Sequence, residues 1–237
     1  MPESAPAPSD RRWIVSLLLL VALFCAPMFL HPDGFLSGDA YRDNDWLTDR
    51  FFDLAARQTW LEHHTWPLRS HLVGGGYPTA GHPFDGSWAP TLLAVLAFGP
   101  VLGVKINLML LLMLGALGTF SLGRRWLDLP APAAAFGAAA FALSAWLPSM
   151  MLVGFWPQAL YMVAPALLAL LLSERPSARI LAGALLFLAL QQAGNAFVAI
   201  VGFLGVAAWV GAAAEPRTGR AWLQPLLWLL AATSTCA

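Results

Sequence analysis

Residues 13–30 read WIVSLLLLVALFCAPMFL, a run without any charged side chain. A helix of this length, rising about 1.5 Å per residue, just crosses the roughly 30 Å hydrocarbon core of a bilayer. The whole chain has the same character, because 59% of its 237 residues are hydrophobic and only 11% are charged. In soluble domains about 25% of residues are charged. The sequence therefore predicts an integral membrane protein of the all-α class.

The apolar run 13–30 has two interpretations. Arg11 and Arg12 precede it, and positive residues precede both a first transmembrane helix and a secretory signal peptide. A signal peptide has an apolar core of about 7 to 15 residues and a cleavage site of small residues, and the residues after this run offer no such site. We therefore predict a cytoplasmic tail at residues 1–12 and a retained first transmembrane helix at residues 13–30.

Short basic connectors between the later apolar segments indicate the topology. The positive-inside rule assigns eight of the thirteen basic residues to the cytoplasm: Arg11, Arg12, Arg124, Arg125, Arg175, Arg179, Arg217 and Arg220. If Arg11 and Arg12 lie on the same side of the membrane as Arg124, only one crossing separates the first helix from Arg124. Two apolar segments nevertheless occur in that interval. The segment 89–103 is short and bounded by prolines, so we predict an interfacial or re-entrant helix there and the second crossing at residues 105–123.

Five further apolar segments complete the predicted topology. They are residues 131–149, 157–173, 179–193, 195–213 and 221–235. With them the chain crosses the membrane seven times and every basic connector falls on one side. We predict a polytopic bundle of about seven transmembrane helices, with a large extracytoplasmic loop at residues 31–104 and the remaining helices at residues 105–237. Because the chain ends directly after an apolar segment, we expect it to be truncated at the C-terminus.

The polar region, residues 31–88, holds most of the ionisable groups. It contains all five histidines and eight of the thirteen carboxylates. Residues 46–61 show an amphipathic pattern, in which leucines recur on one face while Asp53 and Arg57 share the other. We expect this helix to lie on the outer membrane surface with Asp53 and Arg57 exposed. Prolines and three consecutive glycines predict an ordered, shaped loop over residues 66–90.

Short motifs in this region resemble those of one superfamily of membrane proteins. They are Asn44-Asp45-Trp46, Ala55-Ala56-Arg57-Gln58, Trp66-Pro67-Leu68, Gly75-Gly76-Tyr77-Pro78 and His82-Pro83. Their succession, with Leu122-Gly123-Arg124-Arg125-Trp126 downstream, resembles bacterial polytopic membrane proteins of the GT-C glycosyltransferase superfamily, closest to the YfhO-like group. The resemblance implies a GT-C-like bundle in the bacterial inner membrane.

The resemblance also implies an activity, the transfer of a sugar from a polyprenyl-phosphate carrier to an acceptor on the extracytoplasmic face. Such a transfer needs a general base for the acceptor hydroxyl. The resemblance implies Asp45 as the first candidate, with Asp43 and Asp39 as the next. Asp45 also directly precedes the predicted helix, where a short carboxylate caps free backbone N–H groups. A structural role for Asp45 therefore stays open.

Other polar residues are candidates for metal and substrate binding. Asp43 and Asp45 have a spacing that is able to share one Mg²⁺ or Mn²⁺ through hard oxygen ligands. The leaving phosphate needs positive charge and hydrogen-bond donors. The expected substrate-binding residues are Arg42, Arg50, Arg57, Arg69, His82, Gln192 and Asn195. His63 and His64 point about 100° apart on a helix, which disfavours a zinc site.

Two other classes of protein stay open. A transporter-like protein is expected to carry charges near the membrane midplane, and residues 131–149, 157–173 and 195–213 contain none. A non-catalytic protein that handles lipid or cell-envelope components is also compatible with the sequence. Nucleic acid is not an expected partner, because the formal net charge is zero and no basic stripe is present to neutralise phosphates.

Overall fold

The computed structural model describes part of the chain, and its secondary structure is mostly helical. The described residues are 8–34, 46–70, 72, 76–78, 87, 90–152, 154–173, 175, 177–178 and 181–182. The α-helices are α1 (Pro8–Cys25), α2 (Trp46–Leu61), α3 (Leu92–Arg125), α4 (Ala131–Ala142), α5 (Trp146–Leu152) and α6 (Ala164–Leu171). Two 3₁₀ helices, Ala26–Phe29 and Trp156–Val163, follow α1 and precede α6. Two short strands, β1 (Arg69–Ser70) and β2 (Tyr77–Pro78), pair antiparallel.

Three helical stretches in this part of the chain are long and apolar enough to cross a membrane. They are Asp10–Phe29, Leu92–Arg125 and Ala131–Leu152, and the shorter helix Tyr161–Leu171 is also apolar. These stretches agree with the prediction of an all-α membrane protein. The predicted crossings at 195–213 and 221–235, and most of 179–193, lie outside the described residues.

The third helix contains a sharp break. Gly99 has φ 84° and ψ 169°, and Pro100 follows it, so the backbone is not helical at this point. Asn107 donates a hydrogen bond from Nδ2 to the carbonyl of Thr91 over 2.7 Å. In a continuous helix, residues sixteen apart are separated by about 24 Å. The chain therefore reverses direction at the break.

This reversal divides α3 into a short arm, residues 92–98, and a long arm, residues 100–125. Gly103 allows the two arms to pack closely, because a Cβ at that position would lie 2.7 Å from the carbonyl oxygen of Ala94. The short arm covers only part of the interfacial or re-entrant segment predicted at 89–103, because the break at Gly99 and Pro100 assigns residues 100–103 to the long arm. The long arm corresponds to the predicted second crossing.

The first helix and the long arm of α3 lie side by side in opposite directions. At one end, Arg124 Nε and Nη2 donate to the Asp10 carboxylate over 3.1 and 3.3 Å. At the other, Lys105 Nζ donates to the carbonyls of His31 and Pro32 over 2.5 and 3.2 Å. Nineteen residues of helix separate Lys105 from Arg124, about 29 Å, which matches the hydrocarbon thickness of a bilayer. We name these the Lys105 end and the Arg124 end.

Small residues bring α4 onto the long arm. Gly123 lies against Ala134, and Gly115 lies against the ring of Phe141. Because residue numbers fall along the long arm as they rise along α4, the two helices are antiparallel. A short non-helical break at residues 143–145 separates α4 from α5, which continues in the same direction toward the Lys105 end.

The sixth helix runs parallel to the long arm. Gly115 contacts Met162, and a Cβ at Gly118 would overlap the backbone of Ala166. Small residues at such contacts let helix backbones approach closely, as is usual between membrane helices. The described helices α1, the long arm, α4 with α5, and α6 thus alternate in direction, which is the order predicted for the first four crossings.

We expect Asp10→Asn to lower the free energy of unfolding by about 1 kcal/mol, because a neutral amide accepts a weaker hydrogen bond from a guanidinium than a carboxylate does. Thermal unfolding of the full chain in detergent measures the effect. Asp128→Asn is the matched control, since Asp128 has φ 48° and asparagine adopts that conformation readily. Equal unfolding temperatures for the two variants would contradict a stabilising role for the Asp10–Arg124 pair.

Gly118→Ala and Gly137→Ala should have opposite effects. The added methyl group at Gly118 meets the Ala166 backbone, and such overpacking typically costs about 1–3 kcal/mol. Gly137 has no atom within 4 Å of a Cβ, so replacing it in a helix should raise stability by about 0.5–1 kcal/mol. The same unfolding measurement compares them, and a Gly118→Ala variant as stable as Gly137→Ala would contradict the close packing of α6.

Candidate functional site

Side chains of α2 meet the Lys105 end of the bundle around Arg50. Trp46, the first residue of α2, is 2% exposed and donates from Nε1 to the carbonyl of Met151 over 2.6 Å. Arg50, one helical turn later, is 6% exposed and donates from Nη1 to the carbonyl of Pro100 over 2.9 Å. The second helix therefore joins the end of α5 to the break in α3.

The Arg50 guanidinium lies near two indole rings. Its Cζ is 5.3 Å from the ring centroid of Trp46 and 5.8 Å from that of Trp156, distances at which an aromatic face attracts a cation. The carboxylate of Asp53 lies 2.5 Å from Nη1. Nε and Nη2 are buried, and among the described residues none accepts a hydrogen bond from them. The Arg50 cluster comprises Trp46, Arg50, Asp53, Pro100, Met151 and Trp156.

The break in α3 also explains the position of Arg57. Pro100 has no N–H, so the carbonyl of Leu96, four residues earlier, has no donor from the usual helical ladder. Arg57 donates from Nε to this carbonyl over 3.3 Å. Two arginines of α2 therefore bind carbonyls on the two sides of the break, Arg57 before it and Arg50 after it.

The faces of α2 differ from the expected arrangement. We expected Asp53 and Arg57 on an exposed face, but Asp53 is buried and Arg57 is half-buried against α3. That expectation is wrong because the α3 break supplies carbonyl acceptors that a polar helix face is able to bind. Leu54 and Leu61, on the predicted apolar face, are 40% and 47% exposed and point away from the bundle.

Arg69 shapes the short hairpin that follows α2. In the pairing of β1 with β2, Arg69 lies opposite Pro78 and Ser70 opposite Tyr77. Arg69 donates from Nη2 to the carbonyl of Gly76 over 2.9 Å. Gly76 has φ 102°, and the Arg69 side chain fills the space that a Cβ there would need. These described residues form a short hairpin within the predicted loop.

The predicted site residues divide into two groups. Outside the described residues lie Asp39, Asp43, Asp45, Arg42, His82, Gln192 and Asn195. The general base and the Mg²⁺ or Mn²⁺ site therefore stay predictions, and within the described residues no group of three metal-ligating side chains occurs. Of the three predicted arginines that are described, Arg50 and Arg57 reach the α3 break and Arg69 binds within its hairpin.

Several contacts at the Lys105 end were not predicted from the sequence. The sequence did not connect Trp156 with Arg50, because their contact joins segments about a hundred residues apart. A signal for Arg57 was present in Pro100, which removes the helical donor for the carbonyl of Leu96. Another signal was Lys105, a single cation in a long apolar stretch, since a buried cation needs acceptors nearby.

Known proteins were compared with the chain at three levels. Family models, curated proteins and solved structures all gave no match.

Trp46→Phe keeps an aromatic ring beside Arg50 but removes the hydrogen bond to Met151. We expect it to lower the free energy of unfolding by about 1–2 kcal/mol, because the buried carbonyl loses a side-chain donor. Thermal unfolding measures the change. Trp126→Phe is the control, since Trp126 is exposed at the Arg124 end. If both variants unfold at the same temperature, the Trp46 hydrogen bond does not hold α2 on the bundle.

Proposed function

We propose that the protein is a membrane glycosyltransferase of the GT-C type in the bacterial inner membrane, with its N-terminal tail in the cytoplasm. It transfers a sugar from a polyprenyl-phosphate carrier to an acceptor on the extracytoplasmic face. One observation carries the proposal: α2 turns the charged side chains of Arg50 and Asp53 toward the bundle, at one end of an apolar layer of bilayer thickness. A lipid-linked substrate keeps its chain in that layer and its phosphate at the layer's end.

The chemistry of the transfer assigns roles to the proposed residues. The acceptor oxygen attacks the anomeric carbon, the bond from that carbon to the phosphate oxygen breaks, and a general base takes the acceptor proton. Asp45 is the proposed base, with Asp43 and Asp39 as the next candidates. Asp45 directly precedes Trp46 in the sequence, and Trp46 is anchored to the bundle through Met151.

Positive charge is needed where the polyprenyl phosphate leaves with its negative charge. Arg50 and Arg57 supply it beside the α3 break. Further substrate contacts are proposed for Arg42, Arg69, His82, Gln192 and Asn195. Asp43 and Asp45 are also the proposed ligands for Mg²⁺ or Mn²⁺, which would stabilise the same leaving group.

A second candidate function is supported by the partners of the buried cations. Lys105, Arg50 and Arg57 all donate to backbone carbonyls, as cations that stabilise a fold do. A non-catalytic or transporter-like protein that handles lipid or cell-envelope components would use the same bundle without the general base. The two candidates differ in whether sugar transfer occurs.

A transfer assay tests the proposal. Purified full chain in detergent receives a radiolabelled polyprenyl-phosphate sugar and a mixture of cell-envelope acceptors. We expect transfer by the wild-type protein, and a rate at least about 100-fold lower for Asp45→Asn, since a general base contributes about 10²–10⁴-fold. Glu62→Gln, which changes an exposed carboxylate of the same region, should retain the wild-type rate within about twofold.

Two outcomes of this assay would contradict the proposal. Absence of transfer by the wild-type protein would favour the non-catalytic candidate. Undiminished transfer by the Asp43→Asn, Asp45→Asn double variant would remove both carboxylates from the mechanism. Loss of wild-type transfer after chelation, with recovery on adding Mg²⁺ or Mn²⁺, would support the metal.

A further inference from the structure

Only one of the three nitrogens of the Arg50 guanidinium has polar partners among the described residues. Nη1 lies 2.5 Å from the Asp53 carboxylate and 2.9 Å from the carbonyl of Pro100. Nε and Nη2 together form the opposite edge, which presents two parallel N–H groups. Both of these nitrogens are buried, and within the described part of the chain neither has an acceptor. One whole edge of a buried cation is thus left without hydrogen bonds.

Such an edge is suited to one kind of ligand. Leaving charged donors buried and unsatisfied is costly, whereas a phosphate or carboxylate accepts both N–H groups of an arginine edge at once. The other two described arginines of the polar region do not offer this edge. Arg57 uses Nε for the carbonyl of Leu96, and Arg69 uses Nη2 for the carbonyl of Gly76.

We propose that the Nε–Nη2 edge of Arg50 is a binding site for a phosphate group. The identification of that phosphate as the one on a polyprenyl carrier rests on the proposed function. The two N–H groups each donate to one phosphate oxygen. The indole rings of Trp46 and Trp156 hold the guanidinium in place while the phosphate binds.

Nε and Nη2 are shielded from solvent, so the side chains that cover this edge must move before a phosphate binds there. Asp53 places a negative charge beside the guanidinium, which opposes a second anion. Removing the charge of Asp53 therefore strengthens phosphate binding. Replacing Arg50 by lysine keeps the positive charge but removes the two-nitrogen edge, and so weakens binding.

A binding assay tests this site without requiring catalysis. The full chain is reconstituted in nanodiscs of phosphatidylcholine, and the dissociation constant of radiolabelled polyprenyl phosphate, which carries no sugar, is measured. We expect Arg50→Lys to weaken binding at least about tenfold and Asp53→Asn to strengthen it about threefold or more. Arg125→Lys, an exposed arginine at the Arg124 end, should bind within about twofold of wild type.

The two variants give independent answers. Equal affinities for Arg50→Lys and Arg125→Lys would overturn the site. If Arg50→Lys does not fold, Asp53→Asn decides, because a gain in affinity cannot come from misfolding. Affinity for Asp53→Asn that equals or falls below wild type would then overturn the proposal.

Competitors identify the source of the phosphate. Displacement of the probe by inorganic phosphate at similar concentration indicates a free phosphate ligand, and displacement by phosphatidylglycerol indicates a phospholipid headgroup. Resistance to both indicates the polyprenyl carrier. Binding that Arg50→Lys weakens, in a protein that transfers no sugar, would support this site while contradicting the glycosyltransferase proposal. Sugar transfer with unchanged affinity in Arg50→Lys would contradict this site alone.

Discussion

A carbonyl without a helical donor organises the Lys105 end of this protein. In an apolar layer every backbone polar group must be satisfied within the protein, and Pro100 removes the N–H that would serve the carbonyl of Leu96. Arg57 supplies the missing donor, and Arg50 binds the carbonyl just after the break. The orientation of α2, the burial of Asp53 and the composition of the Arg50 cluster all follow from these two contacts.

Two other described cations, Lys105 and Arg124, meet the same requirement. Lys105 satisfies two carbonyls where the chain leaves α1, and Arg124 binds both Asp10 and the carbonyl of Leu129. Charged side chains in membrane proteins are expensive away from the interfaces. Here they join helix ends, while glycine and alanine form the contacts between the helices. Polar contacts therefore fix the position of α1 along the axis of the long arm of α3. Small residues set the distances from this long arm to α4 and α6.

The parts of this fold that depend on local sequence were predictable. The charge-free run at 13–30 predicts the first helix, and the prolines around 89–103 separate the short arm from the long arm. The exposure of Asp53 was mispredicted, because a helical wheel assumes that a polar face turns to water. Here that face turns to carbonyls supplied by α3. The aromatic partner Trp156 depends on contacts between distant segments, which no local pattern encodes.

The distances along the chain between these partners impose an order of assembly. The acceptors for Arg57 and Arg50 come 39 and 50 residues after them, and the acceptor for Trp46 comes 105 residues later. During synthesis, α2 therefore emerges long before the groups that satisfy its charged face exist. Its final docking is a late event, which waits until α5 has been made.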